Sequence, residues 1–269
     1  MKIFKSINKL NNKVNFKAKI GFVPTMGSLH DGHISLIKES KKKCKKTLVS
    51  IFINPAQFNK KSDFKNYPRT LTKDIKILKI LKVDYLLIPK KSEIYKNKKS
   101  MKINIAAKDR VLCAKTRKGH FEGVLAVINQ FLKSFSPKYM FLGEKDYQQV
   151  YLIKKFIKRK FKIKIISCKT IRNRQRLALS SRLKLLNSVK IKKAEKITNI
   201  LYKFHRKLKE NLRLRNQANL IKKKILHDDI KLDYLELRNK YNLSKKFNKR
   251  NFKLFFAFFI GKVRLIDNF

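Results

Sequence analysis

Acidic side chains are scarce in this chain of 269 residues: 17 Asp and Glu stand against 70 Lys and Arg, a formal net charge of +53 at pH 7 with histidine neutral. A nucleic-acid binder concentrates such charge into a stripe or tail with stacking aromatics between, because phosphate contacts have to follow a groove. Here lysine fills every predicted helix, the loops and the strand flanks alike, beside abundant Asn, Ile and Phe. That is the pattern of a broad compositional drift, and no specific nucleic-acid partner is expected. Tryptophan is absent and there are three cysteines. Cys44, Cys113 and Cys168 are far apart and lack any C-x-x-C spacing, which argues against a disulfide framework or a zinc site and predicts buried free thiols. Long apolar runs are missing too. The longest, Leu254 to Ile260, falls far short of the roughly 20 residues of a spanning helix, so no membrane partner is expected and the stretch reads as a buried strand. Met1 to Asn12 lacks the continuous apolar core of a secretory signal, which predicts a cytoplasmic protein. Only seven Gly and five Pro remain. Gly27, Gly32, Gly119, Gly123, Gly143, Pro24 and Pro55 gather in a few short segments, where the backbone is expected to need them.

What is present is periodicity. A chain of this length with 43% hydrophobic residues can bury a sizeable core and commonly divides in two. Short β-branched and aromatic runs, at Ile20 to Val23, Leu48 to Ile53, Tyr85 to Ile88, Tyr139 to Leu142 and Ile163 to Ser167, predict strands. Between them His33 to Cys44, Leu71 to Leu81, Val124 to Phe135 and Tyr147 to Lys160 carry apolar residues at spacings of three and four, which predicts helices. Alternation of this kind predicts an α/β fold, a Rossmann-like parallel sheet wound with helices, over residues 1–170. From about Thr170 the pattern changes to basic helices at Ala194 to Leu212 and Gln217 to Leu226 and strands at Leu232 to Leu237 and Leu254 to Ile260. Residues 171–269 therefore read as a smaller C-terminal α+β domain.

Five segments carry residues suited to chemistry. Pro24-Thr25-Met26-Gly27-Ser28-Leu29-His30-Asp31-Gly32-His33 runs from a strand into a helix, with two imidazoles three residues apart on one side of the first turn and a glycine that leaves the helix N-terminus open to phosphate. This His-x-Gly-His pattern is similar to that of the nucleotidylyltransferase superfamily, and alone it indicates only adenylyl transfer. Asn54-Pro55-Ala56-Gln57 follows the next strand and places amides at the same sheet edge; an amide can serve hydroxyl and carboxylate oxygens together. Gly119-His120-Phe121-Glu122-Gly123 opens a helix. Gly143-Glu144-Lys145-Asp146 leads from a strand to a helix that carries Gln149, offering a point charge for phosphate and a carboxylate for hydroxyls. Leu179-Ser180-Ser181-Arg182 supplies hydroxyls and a guanidinium for oxyanions.

In this order and spacing, together with Tyr67-Pro68-Arg69-Thr70 and Arg264-Leu265-Ile266-Asp267-Asn268, the segments resemble the pantothenate synthetase (pantoate beta-alanine ligase) family over essentially the whole chain. The resemblance implies an ATP-dependent ligase that condenses pantoate with beta-alanine through a pantoyl-adenylate, releasing AMP and pyrophosphate, with magnesium carried on the triphosphate and no protein-bound metal. It implies that Met26, Gly27, Ser28, Leu29, His30, Asp31, Gly32, His33, Gly143, Glu144, Lys145, Asp146, Ile171, Leu179, Ser180, Ser181 and Arg182 bind ATP. His33, as proton donor, His30 and Lys145 would be catalytic; Gln57 and Gln149 would hold pantoate, Gln57 also beta-alanine. A homodimer is implied as well. Another adenylyltransferase would share the histidines but has no reason to carry Gln57 and Gln149. The chain departs from the family pattern at Gln175 and Arg176, where Asp-Gly is usual, and at Leu183, where Asn is usual. Arg176 either strains the backbone or adds a cation near phosphate; a decayed, inactive ligase would also carry it.

Overall fold

The computed structural model describes residues 1–95, 103–158, 160–226 and 229–269. The first part of the chain runs β1 (Lys2–Phe4), α1 (Ile7–Lys13), β2 (Ile20–Thr25), α2 (Asp31–Lys43), β3 (Lys46–Ile51), α3 (Lys61–Lys65), α4 (Leu71–Ile80), β4 (Tyr85–Leu87), α5 (Lys91–Ile94), α6 (Cys113–Thr116), α7 (His120–Ser134), β5 (Tyr139–Gly143), α8 (Tyr147–Ile157) and β6 (Lys164–Cys168). Its strands form one six-stranded parallel sheet in the order β1-β4-β3-β2-β5-β6. Successive residues of a strand point to opposite faces. Phe22 accordingly packs with Leu125, Ile128 and Phe131 of α7, while Val23 packs with Leu36 and Ile37 of α2. Both faces are covered, which is why β2 and β5 read as near-continuous apolar runs.

The chain leaves β2 through α2 to pair β3 on one side, and after β4 it returns to pair β5 on the other side of β2. Strand order reverses at that point. In open parallel sheets the ligand crevice lies there, beyond the carboxyl ends of the strands, here beyond Thr25 of β2 and Gly143 of β5.

The later chain forms α9 (Ser188–Glu210), α10 (Ala218–Ile225) and a three-stranded antiparallel sheet of β7 (Ile230–Asn239), β8 (Phe252–Ile260) and β9 (Val263–Asn268) in that order. Ala194, Ile197, Leu201, Phe204 and Leu208 fall on one stripe of α9 and pack against Phe256 and Phe258 of β8. Burying a leucine such as Leu201 in full contributes about 1.5 to 3 kcal/mol. The helix begins at Ser188, ahead of the predicted Ala194, because the Asn187 side chain accepts the Lys190 N–H at 3.0 Å and caps it. α2 likewise starts at Asp31, before the expected His33, and α7 at His120, before Val124. The predicted helix 147–160 ends at Ile157, and Arg159 lies outside the described residues. All three cysteines are free and buried, and no helix among the described residues is long and apolar enough to cross a membrane.

Between β6 and α9 the chain doubles back, with a bridge between Arg172 and Ala178 and a Leu179 N–H to Ile171 C=O bond of 3.0 Å. Arg176 sits at the turn with φ +67°. Its guanidinium lies 3.9 Å from the centre of the Tyr202 ring and does not line the crevice. Of the two readings left open by the sequence, backbone strain is the one this geometry supports, since only glycine adopts the left-handed region without a Cβ penalty. Arg176→Gly and Arg176→Ala both remove the ring contact, but only glycine relieves the turn. The glycine variant is expected to be more stable than the alanine variant by about 1 kcal/mol, measured by urea unfolding; equal midpoints would show that the turn carries no strain.

Candidate active site

The turn from β2 into α2 forms one wall of the crevice. Gly27 and Ser28 take positive φ, +75° and +53°, and the turn is held from behind by Asp74 at the start of α4. The Ser28 and Leu29 N–H groups donate to the two Asp74 oxygens at 2.8 and 2.9 Å, and the Thr70 hydroxyl donates at 3.1 Å. His30 is the N-cap of α2: its Nδ1 accepts the Gly32 N–H at 3.1 Å. An accepting Nδ1 leaves the imidazole proton on Nε2. A Cβ on Gly32 would come within 2.7 Å of the His30 ring, so the glycine of the pattern is needed for its neighbour's close approach. The His33 ring centre lies 4.2 Å from that of His30, and among the described residues its covered Nδ1 has no hydrogen-bond partner.

Opposite stands the turn after β5. Lys145 Nζ donates to Asp146 at 3.2 Å. The segment from Ser180 to Lys184 closes onto the β2–α2 turn: the Ser181 hydroxyl donates to Ser28 C=O at 2.9 Å and Lys184 Nζ to the Ser28 hydroxyl at 2.9 Å. Arg182 is paired with Asp63 at 2.8 Å.

A second half of the crevice is built on Asn54. Its amide donates to Gln57 at 3.2 Å and to Gly123 C=O at 3.1 Å. α7 can approach this closely because Gly123 has no side chain; a Cβ there would stand 2.5 Å from the Ala56 carbonyl oxygen. Gln57 in turn contacts the Met26 sulfur, which joins the two halves. His120 Nδ1 lies 2.6 Å from Gln57 C=O and its Nε2 lies 3.1 Å from Arg117. A carbonyl only accepts, so Nδ1 carries the proton and Nε2 takes the arginine N–H. Arg117 also donates to Asn59 at 3.2 Å and to Gln57 C=O at 2.9 Å, all neutral acceptors.

Of the residues singled out from sequence, Met26, His30, Gly32, His33, Gln57, Gly143, Lys145, Asp146, Gln149, Ile171, Leu179, Ser180, Ser181 and Arg182 line one crevice. Gly27, Ser28, Leu29, Asp31 and Glu144 do not: Ser28 and Leu29 face the interior, Asp31 is exposed, and Glu144 meets the C-terminal strand through its carbonyl. Sequence reasoning missed Asp74, Arg117 and Lys184. Gln148, beside Gln149, is instead a buried structural amide that donates to Val111 C=O at 2.7 Å. Among the described residues no group of three or more His, Cys, Asp or Glu is placed to hold a metal ion.

A family model described as Pantoate-beta-alanine ligase matches residues 2–269. The chain belongs to the pantoate-beta-alanine ligase family. It is 43% identical over 269 residues to the pantothenate synthetase of Francisella tularensis subsp. mediasiatica, covering 98% of this chain and 94% of that one. A crystal structure of the pantoate-beta-alanine ligase of Francisella tularensis, complexed with beta-gamma ATP and beta-alanine, superposes with a TM-score of 0.84 at 41% identity, covering 100% of this chain and 97% of the other. Pantothenate synthetase from Thermus thermophilus superposes at 0.90 and 27% identity, covering 100% and 99%.

Four histidines of this ligase, His30, His33, His120 and His205, are held neutral. Burial, then Lys145 and Lys184, lowers His30 to about 4. Burial, His30 and the same lysines take His33 well below its ordinary value. Burial and Arg117 lower His120 to about 3, and burial with Lys209 and Lys253 lowers His205, far from the crevice, to about 4. In the unfolded chain these groups protonate near 6.5, so between about 6.5 and 4 the unfolded state binds more protons. Their stabilisation is complete above 6.5 and is lost as pH falls toward 4. The melting temperature should therefore drop steeply over that window. His205→Leu, which also removes a buried Nε2 that has no hydrogen-bond partner among the described residues, should flatten part of the drop, and an unchanged profile would contradict the assignment.

Proposed function

We propose that the chain condenses pantoate with beta-alanine in two steps. The pantoate carboxylate attacks the α-phosphorus of ATP and expels pyrophosphate; the beta-alanine amine then attacks the acyl carbon of the pantoyl-adenylate and expels AMP. One observation carries this reading. A crevice at the switch point of a parallel sheet joins His30, His33, Lys145 and Arg182, suited to phosphate, with Gln57 and Gln149, suited to a hydroxy acid. Charge grows on the phosphate oxygens in the first transition state, and preorganised donors stabilise it where water is excluded. A neutral imidazole donates a hydrogen bond without a charge to desolvate, which favours His30 Nε2–H and His33 in that role, with Lys145 supplying the fixed cation. Magnesium enters on the phosphate oxygens of the substrate. Ile171 and Leu179 through Arg182, in the proposed closing domain of residues 171–269, cover the triphosphate bound to residues 1–170 and keep water from the reactive anhydride. The homodimer is carried by the family resemblance alone.

The carboxylate of beta-alanine takes no part in bond making and persists in the product, so it needs a permanent cation. Arg117 fits that need beside Gln57. Burial brings its guanidinium down to about 10, which still leaves it charged at neutral pH, and its hydrogen bonds go to neutral acceptors.

AMP release should require ATP, pantoate and beta-alanine together, while pyrophosphate release in a single turnover should require only ATP and pantoate; AMP release independent of pantoate would end the reading. His33→Ala should slow the pyrophosphate step by about 10²- to 10³-fold, the loss of one such donor, with rates near the parent's removing the residue from the role. Arg117→Gln should raise KM for beta-alanine by roughly 10- to 100-fold, the loss of a charged hydrogen bond, and leave pyrophosphate release with ATP and pantoate close to the parent value. An equal effect on both steps would assign Arg117 to the fold instead.

A further inference from the structure

The last residues of the chain reach from one sheet to the other. The side chain of Asn268, only 3% exposed, donates from its Nδ2 to two consecutive carbonyls, Glu144 at 2.9 Å and Lys145 at 3.1 Å. These are the first residues of the turn that follows β5 and carries the Lys145 ammonium into the crevice. The amide itself is fixed at every other contact. Its Oδ1 accepts Lys253 Nζ at 2.8 Å, its backbone N–H donates to Asp267 at 2.8 Å, and its carbonyl accepts from Arg172 at 3.0 Å. Asp267 is locked in turn by a two-pronged pair with Arg172, and the adjacent Phe269 exchanges both backbone hydrogen bonds with Leu254 of β8, at 3.0 and 3.1 Å. The amide thus sits on a rigid strand end and presents two N–H groups to the backbone of the lysine turn. Arg172 also donates to Arg176 C=O at 2.9 Å, so the same strand end reaches the hairpin that leads to Ser180 and Arg182.

We propose that Asn268 is a positioning residue for adenylate formation: it sets the backbone of the Glu144–Asp146 turn so that Lys145 meets the reacting phosphate. This rests on the proposed role of Lys145. The chemistry of the position explains the residue type. Only a primary amide offers two donors to neighbouring carbonyls and an acceptor to a lysine from one planar group. A carboxylate of the same shape would still accept from Lys253 but would turn a negative oxygen on both carbonyls. Displacement of a catalytic group by about 1 Å can cost on the order of 10²-fold in rate.

The test is a double-mutant cycle read on single-turnover pyrophosphate release from ATP and pantoate, using full-length protein with its folded fraction checked by circular dichroism. Asn268→Asp should lower that rate by roughly 10- to 100-fold in the parent background and by less than about threefold when Lys145 is already alanine, because a residue acting through Lys145 has nothing left to act on. Asn268→Gln, which keeps both donors, should recover part of the rate. If Asn268→Asp does not fold, Asn268→Ser, small and neutral with a single donor, serves the same cycle. Equal losses in the two backgrounds, or an unchanged rate in a folded variant, would overturn the proposal. Absence of pyrophosphate release by the parent protein would instead refute the adenylating reaction itself.

Discussion

The buried carboxylate of Asp74 is the interaction on which the crevice depends. β2 ends at Thr25 and α2 begins at Asp31, and the chain between them turns through two successive left-handed residues, one of them Ser28 with its Cβ. Such a turn does not hold itself. Asp74 holds it by accepting the N–H groups of Ser28 and Leu29, which would otherwise be buried donors without partners, each costing about 1 to 3 kcal/mol. With the turn fixed, His30 falls at the N-cap of α2, Gly32 and His33 follow on the first turn, and Ser28 presents its carbonyl and hydroxyl to Ser181 and Lys184. The placement of both imidazoles and of the closing segment therefore traces to one carboxylate on a different helix.

The surplus of lysine bears on this crevice in an indirect way. Lys145 and Lys184 both disfavour the protonated forms of His30 and His33, adding to what burial already does. A basic protein can hold its histidines neutral with little help from specific contacts, since each nearby ammonium makes an imidazolium more costly. Groups other than lysine also line the crevice, among them the amides of Asn54, Gln57 and Gln149 and the guanidinium of Arg117.

The apolar runs of β2, β3 and β5 and the α7 stripe were legible because burial on both faces writes itself into a single stretch of chain. The short edge strand β1 was not, since Lys2 and Ile3 are exposed and give no pattern. Strand β9 was hidden by Arg264, Asp267 and Asn268, polar residues that a strand tolerates here because Arg264 pairs with Asp233 and Asp267 with Arg172. The His-x-Gly-His turn and the Lys145 segment stood out through glycines in a glycine-poor chain. Asp74 and Arg117 carried no such mark. The Ser28 N–H that Asp74 holds and the Gln57 carbonyl that Arg117 meets lie 46 and 60 residues away, and no local spacing announces a contact that only the folded sheet creates. The strain at Arg176 was legible as an alternative only, because backbone angle is not written in residue type.

β8 is the central strand of its sheet, and its run Phe255-Phe256-Ala257-Phe258, buried throughout, has no charge and no proline. Outside the folded state that run is the kind of segment that stacks with copies of itself into cross-β assemblies. Lys253 precedes it and Lys262 sits in the turn that follows β8. Charges so placed act as gatekeepers, since in-register stacking would bring ammonium groups of successive chains within about 5 Å of each other. Lysine, which also brings Lys145 to the crevice, thus guards the phenylalanines of β8 before the sheet exists to hide them.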